Sequence, residues 1–451
     1  MTTDVSAAGS RQPALSAVAG FVGTTLEWYD YFLYGTAAAL VFGHLFFPTL
    51  NPAAGTLAAL STFAAAFVLR PVGGIIFGHL GDRVSRKNML VATLLIMAVG
   101  TFLIGCLPTY GQIGIAAPIV LVALRMLQGI GLGGEWGGAA LVTVEHAPDG
   151  RRGVFGSSMQ MGVPGGLLLS TGAVAVVSAL PGDAFLSWGW RLPFLFSIVL
   201  CVVGLYVRLK LEEPEYFQEV VRTGTRARVP LVEAITVAWR PILLLVFVQA
   251  ATNIGYYIFT TYSVSYATGT LHLSRAAILN PLLGAAAADL IAQPLFGALS
   301  DRVGRRLVYG CGAAFIGVWG FAFFALLDLR QEALIWLAMV VALGIGHAAT
   351  SGLQGPLYAE QFPTRIRYTG ASLGFQLSGV VTAAPAPAVA ALLVLATGGS
   401  RAVALYLLVA AVVSVACILI LRETYRVNLG VDAGAAVAGT AASDRTTAER
   451  R

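Results

Sequence analysis

Six ionisable side chains stand inside apolar stretches of this sequence: Glu27, Asp30, Arg70, Arg125, Glu135 and Asp289. A charge near the middle of a bilayer costs several kcal/mol, so each is a functional candidate. Glu27 and Asp30 are three residues apart and share a helix face, and counting along the helices puts Arg70 and Glu135 at a similar depth. A carboxylate between another carboxylate and a guanidinium is pulled both ways: like charge favours its proton and the cation favours ionisation. Such a group exchanges a proton when its partner moves, and Glu27, Asp30, Arg125, Glu135 and Asp289 are the expected proton-coupling set. The competing reading is a permanent structural ion-pair set. Asp289 has no matching arginine in the second half of the chain, which leaves it either a protonatable or substrate-contacting group or an acid hydrogen-bonded at a helix interface. His347 is a relay candidate, or a histidine satisfied by a neighbouring helix.

Those residues need elements to hold them. The chain has 451 residues, 57% hydrophobic and 11% charged, where soluble domains carry roughly a quarter charged residues. Twelve apolar stretches run from 17–42 to 403–421, each long enough to cross a hydrocarbon layer. The expected organisation is a tail at 1–16, six helices in 17–210, a loop at 211–240, six more helices in 241–421 and a disordered tail at 422–451. The first stretch carries Glu27 and Asp30 and lacks a small-residue cleavage site, so it is read as a retained helix. The net charge of +6 comes from short basic groups between apolar stretches, which argues against nucleic acid as a partner. Those groups follow the even-numbered helices, which predicts cytoplasmic termini and a cytoplasmic central loop. Cys106, Cys201, Cys311 and Cys417 have no paired spacing, so neither disulfide, metal nor cofactor is expected.

Two motifs recur half a chain apart. Gly78, Asp82, Arg83, Arg86 and Lys87 reappear at matching spacing as Gly297, Asp301, Arg302, Arg305 and Arg306. Glu145-x-x-Pro148-x₃-Arg152 reappears as Glu360-x-x-Pro363-x₃-Arg367. A duplicated six-helix unit is the parallel-repeat organisation of one large transporter class, with substrate bound between the halves near the midplane. Carboxylates and guanidiniums at the helix ends can bridge in one conformation and part in another, which makes these residues the expected cytoplasmic gate. The alternative is a loop that only sets topology.

These strings resemble the major facilitator superfamily, an all-α fold of twelve transmembrane helices in two six-helix repeats. Glu27-Trp28-Tyr29-Asp30 with Tyr34-Gly35, Arg125-x-x-Gln128-Gly129 and Gly133-Gly134-Glu135 are similar to its metabolite:proton symporters. Ser85 stands where the first loop motif usually has glycine. The resemblance implies a coupling pair at Asp30 and Arg125, with Asp30 the proton carrier. It also implies that midplane residues of helices one, four, seven and ten line the site: Tyr31, Tyr34, Gln128, Gln249, Asn253, Tyr256, Tyr257 and Gln354. Arg70 or Arg125 suits an anionic substrate and the tyrosines a zwitterion's ammonium. The expected function is import of a small carboxylate by proton symport, by a monomer in the bacterial inner membrane, with lipid, protons and the small molecule as partners. Gly162-x-Pro164-Gly165-Gly166 resembles an antiporter motif, which leaves proton-driven export as an alternative. A membrane enzyme is disfavoured because no nucleophile–base or metal-ligand set stands out. A sensor would have to signal through the tail.

Overall fold

The computed structural model describes residues 4–180 and 184–429, and the regular elements within them are all helices joined by short loops. Two long helices open it, α1 (Asp4–Ala37) and α2 (Pro52–Arg83). Ten further helical runs are long and apolar enough to cross a membrane: α3 (Arg86–Cys106), α4 (Ala116–Glu145), α5 (Arg152–Ser178), α6 (Phe185–Leu209), α7 (Trp239–Thr270), α8 (Arg275–Val303), α9 (Arg305–Asp328), α10 (Glu332–Ala359), α11 (Thr364–Thr397) and α12 (Arg401–Ile420). Val176, Leu395 and Ile420 are among many large apolar side chains on the outside, as a lipid-facing surface requires.

Two expectations about the ends change. α1 starts at Asp4, so most of the segment expected to be a tail is helix; residues 1–3 lie outside the described residues. Of the 422–451 segment expected to be disordered, 422–429 is packed against the bundle and Leu429 is fully buried. Residues 430–451 lie outside the described residues. The central segment 211–240 carries two short helices, Glu215–Arg222 and Pro230–Val237.

Helix starts follow local chemistry. Asn51 accepts from the Ala54 N–H at 2.8 Å to cap α2, and Ser274 caps α8 in the same way. Ser85, the departure noted above, caps α3 by accepting from the Asn88 N–H at 3.0 Å. Its counterpart Gly304 opens α9 with φ of 105°, a conformation that suits glycine. Packing then follows residue size. A Cβ on Gly129 or Gly133 of α4 would collide with the backbone of Ala66 or Arg70 in α2, so these glycines let the two helices approach closely. The first six helices form one half and the last six the other. Across the seam α5 meets α8, α2 and α4 meet α11, and α10 meets α4 and α5.

Candidate functional site

The repeated motifs converge at one end of the bundle, where each half holds the other. Asp82, at the end of α2, accepts the backbone N–H groups of Tyr368 at 3.1 Å and Thr369 at 2.9 Å, and the Thr369 hydroxyl at 2.8 Å. Asp301 does the equivalent in α5, accepting from the Gly153 N–H at 2.7 Å and the Val154 N–H at 3.1 Å. Each carboxylate thus sits at the positive start of a helix in the opposite half. Around them Glu145 is bound by Arg86 of its own half and by Arg367 of the other, the latter at 2.6 Å. Glu360 repeats the pattern with Arg305 at 3.3 Å and Arg152 at 3.9 Å. Burial pushes the Glu360 carboxyl above its usual range, against the pull of Arg305.

The glycines of the two motifs are steric fits: a Cβ on Gly78 would press on Thr369, and one on Gly297 on Gly153. Arg83 and Arg302, expected in this network, are exposed and lie outside it. Arg306 joins through its backbone: its N–H and that of Arg305 donate to Glu423, both at 3.0 Å. Glu213 holds the start of α3 in the same manner, accepting from the Arg86 N–H at 2.6 Å and the Ser85 hydroxyl at 2.7 Å. The strap 423–429 finishes this end. Arg152 donates to the Val427 carbonyl at 2.6 Å and Arg367 to the Leu429 carbonyl at 2.9 Å. The Leu429 side chain is buried among Leu141, Val144, Ala359 and Tyr368, residues of both halves.

Inside the amino-terminal half the charges are more divided than the sequence suggested. Glu135 is bound by Arg208 and accepts from the Thr93 hydroxyl at 2.7 Å, so its partner is an arginine of α6 and not Arg70. Between Arg125 and Asp30 stand two neutral groups. Arg125 donates to Gln128 at 2.8 Å and Gln128 donates to the Thr101 hydroxyl at 2.6 Å, beside Asp30. Polar side chains thus connect the two members of the expected pair. Arg125 also lies 3.9 Å over the Tyr34 ring, and Tyr34 is hydrogen-bonded to Thr62. Glu27, Asp30 and Glu135 border one small cavity in this half.

A second cavity, of about 60 Å³, lies between the halves, room for a few waters. Glu27, Trp28, Phe67 and Arg70 line it from one half, and Asn253, Tyr256, Tyr257 and His347 from the other. On the latched side it ends at Trp136, stacked 3.8 Å from Phe375, and at Gln160, which donates to Gln354 at 2.5 Å. Farther along α1 and α7 the Tyr31 and Tyr257 hydroxyls meet at 3.0 Å. Gln249 and Gln354 also line the cavity, while Tyr34 and Gln128 do not, since their polar atoms are used within the amino-terminal half.

The Arg70 guanidinium lies 4.0 Å over Phe67 and 5.3 Å over Tyr31; among the described residues no carboxylate is in salt-bridge contact with it, and Glu27 on the same cavity acts on it only through space. The hydroxyl of Tyr256, Oε2 of Glu27 and Nε of Arg70 are buried without a hydrogen-bond partner among the described residues. Asp289 accepts from His347 Nδ1 at 2.9 Å and from Gln293 at 3.1 Å.

The model of the Major Facilitator Superfamily matches residues 20–384. The chain belongs to this superfamily. A shikimate transporter of Escherichia coli (strain K12) is 40% identical over 417 residues, covering 91% of this chain and 95% of that one. A proline/betaine transporter of the same strain is 36% identical over 426 residues, covering 92% and 84%. Among solved structures, the proton:xylose symporter XylE superposes with a TM-score of 0.69 at 16% identity, covering 92% of this chain and 97% of that one. With its apolar helices and bacterial relatives, this member of the superfamily is a multi-pass inner-membrane protein.

Several participants in this superfamily member's sites escaped sequence reasoning. Arg208 stands two residues before Lys210 at the edge of an apolar stretch, where it reads as an interfacial anchor. Its burial and the proximity of Glu135 come from helix packing. Thr101 and Gln160 are ordinary polar residues in apolar stretches and carry no signal by type. Glu423 did carry one: it follows α12 as Glu213 follows α6, a third repeat of the duplicated unit.

Proposed function

We propose that this protein imports a small organic carboxylate by proton symport, with the two halves alternating access to the cavity between them. The observation that carries the reading is Arg70. Arg86, Arg208, Arg305 and Arg367 are buried and each is bound to a carboxylate, whereas Arg70, also buried, faces the cavity over two aromatic rings. A desolvated guanidinium beside a cavity is matched to a carboxylate that arrives with the substrate. The shikimate transporter among the relatives fits that chemistry.

Counting α1 and α2 as crossings makes twelve, and the positive-inside rule then supports a cytoplasmic location for both termini and the latched end. Asp30 is the proton carrier, tied to Arg125 through Thr101 and Gln128, and Glu27 links this set to the substrate cavity, since it borders both cavities. The protein works as a monomer and performs no covalent chemistry on its substrate.

A second reading, import of a zwitterionic osmolyte, has its own observation: Trp28, Tyr256 and Tyr257 line the cavity and suit an ammonium. Export by antiport loses its main support, because Gly162 and Gly166 are accounted for by packing: a Cβ on either would lie 2.6 Å from α1.

The test is uptake of a labelled panel of small carboxylates and betaines into proteoliposomes, with and without an inward proton gradient. Gradient-driven accumulation of a carboxylate supports the reading, accumulation of a betaine moves it to the osmolyte, and gradient-driven efflux overturns import. Asp30→Asn is expected to lose accumulation and keep counterflow; full accumulation by that variant removes Asp30 as the carrier.

A further inference from the structure

The carboxy-terminal wall of the cavity carries an acid–imidazole pair that the reading above leaves unused. His347 closes a π-helical segment (Ala342–His347) within α10, a local widening that often marks functional sites. Its ring lies 4.7 Å from the Tyr256 ring, and both side chains line the cavity. Asp289 of α8 is 1% exposed. His347 Nδ1 lies 2.9 Å from the Asp289 carboxylate; with Asp289 ionised, and so only an acceptor, the Nδ1 proton occupies that contact and the Nε2 lone pair is left as the site for a second. The groups facing the imidazole are few. α8 presents Asp289 and α7 presents Tyr256, while α9 turns Phe315 and Ile316 toward the adjoining Gly346. Across the cavity stand Glu27 of α1 and Arg70 of α2.

We propose that the Asp289–His347 pair is a second proton-exchange site, on the substrate cavity itself, which admits an anionic substrate when the imidazole is charged. With His347 neutral, the wall opposite Arg70 carries the net negative charge of Asp289 and repels a carboxylate. One proton on Nε2 cancels that charge. The proton comes from water when the cavity faces outward and returns to water when the latched end opens, so only the N–H bond forms and breaks. Tyr256 completes the wall: its ring lies against the imidazole, and its hydroxyl, buried without a hydrogen-bond partner among the described residues, can hydrogen-bond the bound anion. The substrate part of this proposal rests on the carboxylate reading above; the proton part does not.

Two measurements on the full chain separate these parts. The first is NMR of the ¹⁵N-histidine-labelled protein in nanodiscs, with the His347 signal identified by its loss in His347→Gln. A proton-exchange site must be seen in both protonation states, so the His347 signal is expected to change as the pH is varied over the range in which transport is measured. A signal that stays in one protonation state across that range overturns the proposal whatever the substrate is.

The second is counterflow of labelled shikimate at equal pH on both sides, compared at about pH 6 and about pH 8. Wild type is expected to lose roughly tenfold in apparent affinity at the higher pH. Asp289→Asn is expected to bind tightly at both, and His347→Gln weakly at both. A wild-type pH profile in His347→Gln overturns the coupling of this proton to the substrate. Absence of shikimate counterflow in wild type alongside a titrating His347 counts against the choice of substrate and leaves the proton site standing.

Discussion

Asp82 accepts the backbone N–H of Thr369 at 2.9 Å, so a carboxylate at the end of α2 caps the first turn of α11 in the other half. Its repeat partner Asp301 caps α5 through Gly153 and Val154. The two latches use ends of helices that exist whether or not the halves touch, so closing this end creates no new secondary structure. It satisfies N–H groups that water serves when the end is open.

Removing one latch should therefore shift the open–closed balance without unfolding either half. Charge-assisted bonds to a buried carboxylate contribute about 2 kcal/mol, so Asp82→Ala is expected to raise the open population roughly thirtyfold. Ser157 is fully buried, and its hydroxyl lies 3.0 Å from where a Cβ on Gly297 would sit. A cysteine at that position, in a chain with the four native cysteines replaced, reports the change as faster alkylation by a membrane-impermeant maleimide in inverted vesicles. Equal alkylation rates would show that Asp82 does not hold the halves together.

Arg70 offers a sharper contrast between substrates. Arg70→Gln is expected to lower affinity for a monocarboxylate by roughly 10- to 100-fold, since a charge-assisted bidentate contact is lost. Arg70→Lys keeps the charge without the fork and should recover only part of the loss. Counterflow half-saturation constants for wild type and both variants measure this, and a substitution without effect places the carboxylate elsewhere.

Glu135 and Arg208 make a buried pair whose two halves should not be removed singly. Arg208→Leu leaves a carboxylate without its partner at 1% exposure, and the expected cost is about 3–5 kcal/mol. The double variant Glu135→Gln with Arg208→Leu should recover most of it. Thermal unfolding in detergent, taken as a double-mutant cycle, gives the coupling directly, and additive losses would mean the pair is not a unit.

The strap makes a prediction by truncation. A chain ending at Arg426 lacks the Val427 and Leu429 carbonyls that Arg152 and Arg367 hold, whereas one ending at Leu429 keeps both. The shorter chain is expected to alkylate faster at position 157 and the longer one to behave as wild type. Identical rates in the two truncations would remove the strap from the gate.

Legibility followed physical scale. The helices were plain because each buries or exposes some twenty apolar residues in a row, and the duplication was plain because its motifs combine rare types at fixed spacing. Asp82, Arg86, Glu145 and their repeats were found together for that reason. Which arginine meets which acid was not legible: Arg208 for Glu135, and Thr101 with Gln128 between Arg125 and Asp30, depend on how glycine-lined helices such as α2 and α4 settle by a few ångströms. Asp289 and His347 were separately visible as polar residues in apolar stretches, but their pairing joins α8 to α10, and no local pattern carries that.

The burial of Leu429 gives the closed end a hydrophobic component. Its side chain is lodged between Leu141 and Val144 on one side and Ala359 and Tyr368 on the other. The strap therefore bridges the seam with a side chain as well as with its carbonyls, and the two halves share the cover of one leucine. Parting the halves at this end thus uncovers apolar surface in addition to breaking ion pairs, which adds a hydrophobic contribution to the closed state.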